Sequence, residues 1–366
     1  MAKVYADFEY SNAVLLNSSG NSFYIRNELR GTGEDWFYWM FAVEGEPGEE
    51  CFFDMGCERR IGYWGPAISF DKENWHWLGA SSVVGTSDGY HARAFRYRFP
   101  EGVKRVYFCH DLHYPVERFA RFAREIKLCR RVLCTTEKGR ECPYYVCGSV
   151  NETIFLLSRH HACESSGTYV LEGALSYLAK HLTNRFSIVT VPFVDYDGVV
   201  DGDQGKARMP HDHYIDYTAG IYSTVRAVKQ LAKQHKAILM IDFHSPWQCG
   251  GAHDKAVLCC QPCINVREEA LRSFGRLFEE AALAEPGAFC YHTADDLYPG
   301  QGWVSPEPFV PEQTTGFFNQ ISPGIKAVML LETSYFGTKE NIASIDGYLA
   351  LGRALGKAIE GFLTQN

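Results

Sequence analysis

Over roughly the first 110 positions the apolar residues fall in short runs broken by Gly-rich turns. Phe95, Tyr97 and Phe99 alternate with Arg96 and Arg98 in the manner of a half-buried strand, and Trp36-Phe37-Tyr38-Trp39-Met40-Phe41 forms a dense aromatic run. No helical period of any length occurs here. The pattern predicts an antiparallel β-sandwich, assigned to residues 1–112.

From Tyr114 the period changes. Pro115 precedes a stretch, 116–126, whose apolar residues recur at helical spacing with polar residues between them. Strand-like apolar runs then alternate with helical stretches. The runs are 153–157, 187–194, 238–243 and 327–331; the helices are 169–182, 221–234, 267–282 and 342–363. Alternation of this kind predicts a mixed, mostly parallel sheet covered on both faces, so residues 113–366 are expected to form an α/β/α domain. In such sheets ligands sit beyond the carboxyl ends of the strands.

Composition narrows the function classes. The 366 residues are 46% hydrophobic and 14% aromatic, enough to bury a large core. A formal net charge of -8, with no run of Lys and Arg, argues against nucleic acid as a partner. The first ten residues include acidic side chains, and no stretch approaches the length of apolar sequence that a membrane span needs, so a cytoplasmic protein without membrane contact is expected. Thirteen scattered cysteines suit reduced, mostly buried thiols better than a disulfide framework.

Three predicted strands run directly into polar residues: the first into Arg159-His160-His161-Ala162-Cys163-Glu164, the next into His244-Ser245, the last into Glu332-Thr333-Ser334. An imidazole and a carboxylate three residues apart, joined by a second imidazole from another strand, supply a His₂Glu set that leaves Zn²⁺ a position open for water. Glu332 is then placed to take the proton as that water attacks a carbonyl and to pass it to the leaving group. Each piece alone has an ordinary explanation. A His-x-x-Glu spacing recurs by chance, a histidine at a strand end is commonly just hydrogen-bonded, and a glutamate is commonly solvated. Their joint placement at strand ends is what points to one zinc ion.

The order His161-x-x-Glu164, Asp212, His244-Ser245 and Leu331-Glu332-Thr333-Ser334-Tyr335-Phe336-Gly337 resembles the zinc metallocarboxypeptidase family, closest to its cytosolic carboxypeptidase branch. That branch implies a β-sandwich ahead of the catalytic domain, and Trp36-Phe37-Tyr38-Trp39 followed by His113-Tyr114-Pro115 is similar to its entry. The resemblance implies that Asp212 orients His161. It also implies an Asp-x-Asn-Arg element whose last two residues grip the substrate's terminal carboxylate. Here that element reads Asp212-His213-Tyr214-Ile215, so Tyr214 and Ile215 stand where the clamp belongs. Ile215 offers neither charge nor hydrogen bond, whereas a bidentate guanidinium is the usual carboxylate grip. Arg159, Lys206 or Arg208 could take over that grip, the alignment could be displaced by the Pro210-His211-Asp212-His213 turn, or the substrate could lack a free α-carboxylate.

The family places an oxyanion-stabilising arginine near Asp203-Gln204-Gly205-Lys206-Ala207-Arg208. Arg208 is the candidate and Lys206 its rival, with a solvated loop cation as the plain alternative for either. Thr314 to Gln320 falls where the family lines its specificity pocket. With no tyrosine between Tyr298 and Glu332, Phe317 or Phe318 is expected to fill that space. His211 and His213 read as structural or substrate-facing. Cys260-Gln261-Pro262-Cys263 is a single CxxC without a partner pair, and Cys163 would need a base and a lowered pKa to act as a nucleophile.

The expected activity is zinc-dependent hydrolysis of an amide bond near a peptide C-terminus, with a peptide or small amide as partner. A zinc amidase or deacylase of the same fold is the alternative within enzymes, and a non-catalytic binding module the alternative outside them.

Overall fold

The computed structural model describes residues 1–365 except 57–59, 87–90, 249, 262–263, 265 and 307–309. Pro262 and Cys263, half of the CxxC, therefore lie outside the described residues. No described helix is long and apolar enough to cross a membrane.

Two sheets make up the N-terminal part. One runs Lys3–Tyr5, Met40–Glu44, Arg105–Cys109, Ala67–Ser69, His76–Trp77; the other runs Val14–Ser19, Ser22–Arg26, Glu50–Asp54, His91–Arg98, Ile61–Gly62, with Val83–Thr86 also on His91–Arg98. The pairs are antiparallel except Ser22–Arg26 with Glu50–Asp54, which is parallel. Phe41, Phe53, Phe95 and Phe108 fill the space between the sheets, and Phe95 and Tyr97 point inward while Arg96 and Arg98 face solvent, as their alternation predicts. The aromatic run does two jobs. Trp39 and Phe41 enter the sandwich, whereas Trp36 and Phe37 pack on Trp247 of the second sheet's layer, with ring centroids 4.8 and 5.3 Å apart. A strand covered on both faces has no need of polar alternation.

The second sheet has seven strands, in the order Cys129–Thr135, Glu141–Cys147, Ser187–Val191, Glu152–Ser158, Lys236–His244, Ala327–Thr333, Ala256–Cys259. The four strands from Ser187–Val191 to Ala327–Thr333 are mutually parallel, and antiparallel strands close both edges. Along Glu152–Ser158, Phe155 meets Phe318 of the helix Thr314–Ile321, and Ser158 meets Thr168 of the helix Ser165–His181. An odd and an even position of one strand point to opposite faces, so these helices cover both sides.

Helix Ser165–His181 crosses the C-terminal helix Ile345–Gln365 at glycine contacts. A Cβ on Gly173 would lie 2.2 Å from the Leu349 carbonyl oxygen, and one on Gly352 would lie 2.1 Å from that of Val170. A single hydrophobic cluster runs from Tyr10, Trp36 and Tyr63 through this sheet and these helices, so the sandwich and the sheet share a core.

Candidate metal centre

Strand Glu152–Ser158 is apolar and almost wholly buried, and it ends at Arg159, whose φ of 59° turns the chain sharply. The Arg159 guanidinium folds back, with Nε donating to the Ala162 carbonyl at 2.8 Å and Nη1 to that of Tyr114 at 3.4 Å. This pins the turn that carries His161. Glu164 follows as the residue capping helix Ser165–His181. His244 closes the neighbouring strand Lys236–His244, and Glu332 sits in register beside it on Ala327–Thr333. The carboxyl ends of parallel strands thus deliver all four residues to one place.

They are nearly sealed from solvent: His161 and Glu164 are each 1% exposed, His244 2% and Glu332 8%. His161 Nδ1 lies 2.7 Å from Glu164 Oε1, His244 Nδ1 lies 2.9 Å from Glu164 Oε2, and the two imidazole Nδ1 atoms are 3.2 Å apart. Two ring nitrogens facing each other over one carboxylate suit a shared cation, because both can accept it as neutral imidazoles. Zinc–nitrogen bonds of 2.0 Å at tetrahedral angles imply a nitrogen separation of about 3.3 Å. The donor set and its spacing fit zinc.

Each histidine turns its other nitrogen to a carboxylate. His161 Nε2 is 3.6 Å from Asp212 Oδ2, and His244 Nε2 is 3.2 Å from Asp242 Oδ2. Asp242 also holds His160, whose Nδ1 is 2.9 Å from Asp242 Oδ1 and whose Nε2 contacts Tyr217 Oη at 2.9 Å and Thr314 Oγ1 at 3.2 Å. Such partners fix ring orientation and tautomer. The sequence reading found Asp212 and missed Asp242 and His160. Asp242 carried a signal, since two residues before His244 on a strand is the same face.

Burial opposes ionisation of Glu164 and Asp212, but the adjacent imidazoles outweigh it and hold both carboxyls below their usual range. Glu332 differs. Burial raises its carboxyl above the usual range, His244 offsets this only in part, and its Oε2 has no hydrogen-bond partner. A buried carboxylate with a raised proton affinity and a vacant oxygen suits a proton carrier.

The remaining candidates separate. Arg208 is locked between carboxylates, Nη2 at 2.6 Å from Asp195 and Nη1 at 3.2 Å from Asp203. Lys206 is part-exposed, has no ion pair among the described residues, and acts electrostatically on His161, Asp212 and Glu332. Tyr214 brings its ring to 5.2 Å from that of His244 and 6.1 Å from that of His161. Ile215 is 37% exposed. Phe317 packs into the core against Tyr217 at 5.4 Å, and its helix faces the centre instead through Thr314 and Thr315. His211 pairs with Asp216 at 2.6 Å, and His213 stacks on Tyr222 at 3.8 Å. Burial pushes the Cys163 thiol up to about 12, which leaves it a poor nucleophile.

No family model matches the chain. Human cytosolic carboxypeptidase 1 is 26% identical over 215 residues, 46% of this chain and 17% of that protein. Mouse cytosolic carboxypeptidase 3 is 24% identical over 187 residues, 43% of this chain and 19% of that protein. The match thus spans less than a fifth of either relative. A crystal structure of a metallo-carboxypeptidase from Burkholderia cenocepacia aligns over 100% of both chains with a TM-score of 0.78 at 17% identity. The metallo-carboxypeptidase of Pseudomonas aeruginosa, solved with (2-guanidinoethylmercapto)succinic acid, covers 99% of each chain with a TM-score of 0.78, also at 17% identity. At that identity the structural likeness establishes the fold: an N-terminal sandwich followed by the mixed α/β sheet.

Proposed function

Taking as premise the zinc metallocarboxypeptidase family, close to its cytosolic branch, that the relatives and the fold support, we propose that this chain is a zinc-dependent hydrolase of amide bonds. The convergence of His161, Glu164 and His244 beside the unpaired oxygen of Glu332 carries the reading. One zinc ion held by those three side chains would supply a Lewis acid and lower the pKa of a bound water. The chain's own residues do the rest. Asp212 and Asp242 keep the two imidazoles turned inward. Glu332 takes the proton of the attacking water at its free Oε2 and returns it to the leaving nitrogen. Lys206, rather than Arg208, faces the centre as the cation for the developing oxyanion, because Asp195 and Asp203 already hold the Arg208 guanidinium.

The family reading makes the substrate a peptide cut near its C-terminus, and the cytosolic names of the relatives support a cytoplasmic setting. A second reading, an amidase for substrates without a free α-carboxylate, is favoured by one observation. Of the three cations able to replace the missing clamp, Arg159 is bound to backbone carbonyls and Arg208 to two aspartates, which leaves Lys206 for two tasks.

Metal analysis of the purified protein, with turnover of matched peptides bearing free or amidated C-termini, tests both. Zinc at one per chain with cleavage of the free forms supports the peptidase; cleavage of the amidated forms supports the amidase. Absence of metal together with absence of turnover rejects both. Glu332→Gln is expected to abolish turnover with zinc retained, and zinc loss in that variant would show that its role is misassigned.

A further inference from the structure

The Tyr214 side chain lies against the candidate metal ligands. Its backbone N–H donates to Asp212 Oδ1 at 3.1 Å, so the carboxylate that faces His161 also sets the position of this residue. From there the ring passes His244, nearly perpendicular to it at 80°, and packs on Val257, Cys259, Val304 and Leu330 toward the sheet edge. Leu330 shares a strand face with Glu332, and Val257 pairs with Glu332 across the edge strand. The ring therefore fills space beside His244 on the Glu332 side of the centre, space that a long substrate side chain entering there would need. The Tyr214 hydroxyl is buried, with the Thr315 hydroxyl near it but no well-formed hydrogen bond, an expensive state for a phenol unless a ligand completes it. Around it stand the Thr315 hydroxyl and the carboxylates of Asp242 and Glu332. A free carboxylate arriving here would meet two carboxylates and a single hydroxyl donor, with Lys206 already acting on Asp212 and Glu332, whereas a neutral amide would meet a donor matched to its carbonyl.

We propose that Tyr214 makes the leaving-group side of the centre short and neutral, so that the site selects substrates whose departing part is a small uncharged amine of glycinamide size, held by the Tyr214 hydroxyl. This rests on the hydrolase reading above and specifies its substrate class. Tyr214 is here a specificity residue, with the phenol donating to the amide carbonyl of the departing group.

Binding separates this inference from the chemistry. Zinc-loaded wild-type protein is titrated by calorimetry with non-hydrolysable ketomethylene analogues of three acetylated dipeptides that share their first residue and end in glycinamide, glycine carboxylate or phenylalaninamide. Glycinamide is expected to bind at least ~10-fold more tightly than the other two. Tyr214→Phe should cost the glycinamide probe about 10-fold and leave the carboxylate probe unchanged. Tyr214→Ala should let phenylalaninamide bind at least ~10-fold better. Thermal melts confirm that each variant is folded. Equal binding of the three probes, no measurable binding of any, or a phenylalaninamide affinity unmoved by Tyr214→Ala overturns the proposal. Failure of the hydrolase reading looks different: wild-type protein without turnover of any amide while the binding preference persists.

Discussion

Lys206 and Arg208 stand two residues apart in one loop, and replacing each by methionine should give opposite signatures. Arg208 is held by Asp195 and Asp203, whose side chains are 3% and 8% exposed. Removing the guanidinium leaves Asp195 with only the longer side-chain contact to His213 at 3.7 Å and Asp203 with the longer pair to Arg30 at 3.6 Å, and breaking a buried pair in this way costs about 3 kcal/mol or more. For a chain of this size that corresponds to a fall in Tm of roughly 4 to 6 °C. Lys206 has no such partner and is part-exposed, so Lys206→Met should stay within about 0.5 kcal/mol of wild-type stability. Its cost falls on the reaction instead. Loss of a preorganised group that stabilises the oxyanion lowers kcat by about 100-fold, near 2.7 kcal/mol. Differential scanning calorimetry and steady-state kinetics on zinc-loaded protein measure both quantities. An Arg208→Met protein with unchanged Tm but greatly reduced kcat, or a Lys206→Met protein with unimpaired kcat, would refute the assignment of roles.

Asp242→Asn should weaken zinc binding by about 10- to 100-fold in a chelator competition, because the carboxylate behind His244 is lost; unchanged affinity would remove Asp242 from the support of the centre. Asp296 gives a pH signature away from the centre. Burial raises its carboxyl to about 7 although Tyr291 Oη and Leu258 N–H both donate to it. A folded-state value above the unfolded one means stability that is full below about pH 4 and declines as the pH rises toward 7, by at most about 4 kcal/mol. Asp296→Asn should remove that slope, and a wild-type minus variant stability difference that is flat from pH 4 to 7 contradicts it. Gly173→Ala should lose at least about 2 kcal/mol in denaturant unfolding, since its Cβ would strike the Leu349 carbonyl, whereas Gly324→Ala, with nothing within 4 Å, should be near neutral. Equal effects at the two glycines would discount the helix crossing.

The central strands were legible because burial on both faces writes them as unbroken apolar runs: 153–157, 238–243 and 327–331 each lie inside an observed strand. The edges were not. Cys129–Thr135 carries two arginines and is largely exposed, Glu141–Cys147 contains Pro143, and Ala256–Cys259 is four residues long, so no period could establish itself in any of them. Those edges are where the sheet turns antiparallel. The stretch around Thr314 carried no charged or periodic signal, yet it is a helix, and its N-terminal threonines face the centre.

At the site, legibility followed the same division between regular and irregular backbone. His161, His244 and Glu332 could be read because each sits at or just beyond the end of an apolar strand, and strand ends in a parallel sheet have a known destination. Asp242 lay within reach of that reasoning, since strand alternation places it with His244. Lys206 and Arg208 lie in a loop, where no period fixes a side chain's direction. Arg208 turns away because Asp195 and Asp203, distant from the metal motif in sequence, draw it there. Tyr214 shows the limit most clearly. Its place in the motif reads as a missing clamp, whereas its packing on Val257, Cys259, Val304 and Leu330 is visible only in the structure. A lost guanidinium alone would have left an open pocket with weakened carboxylate recognition. On the proposed reading, a lost guanidinium with a phenol beside His244 leaves a shorter pocket of different polarity, and with it a changed substrate rather than a failing enzyme.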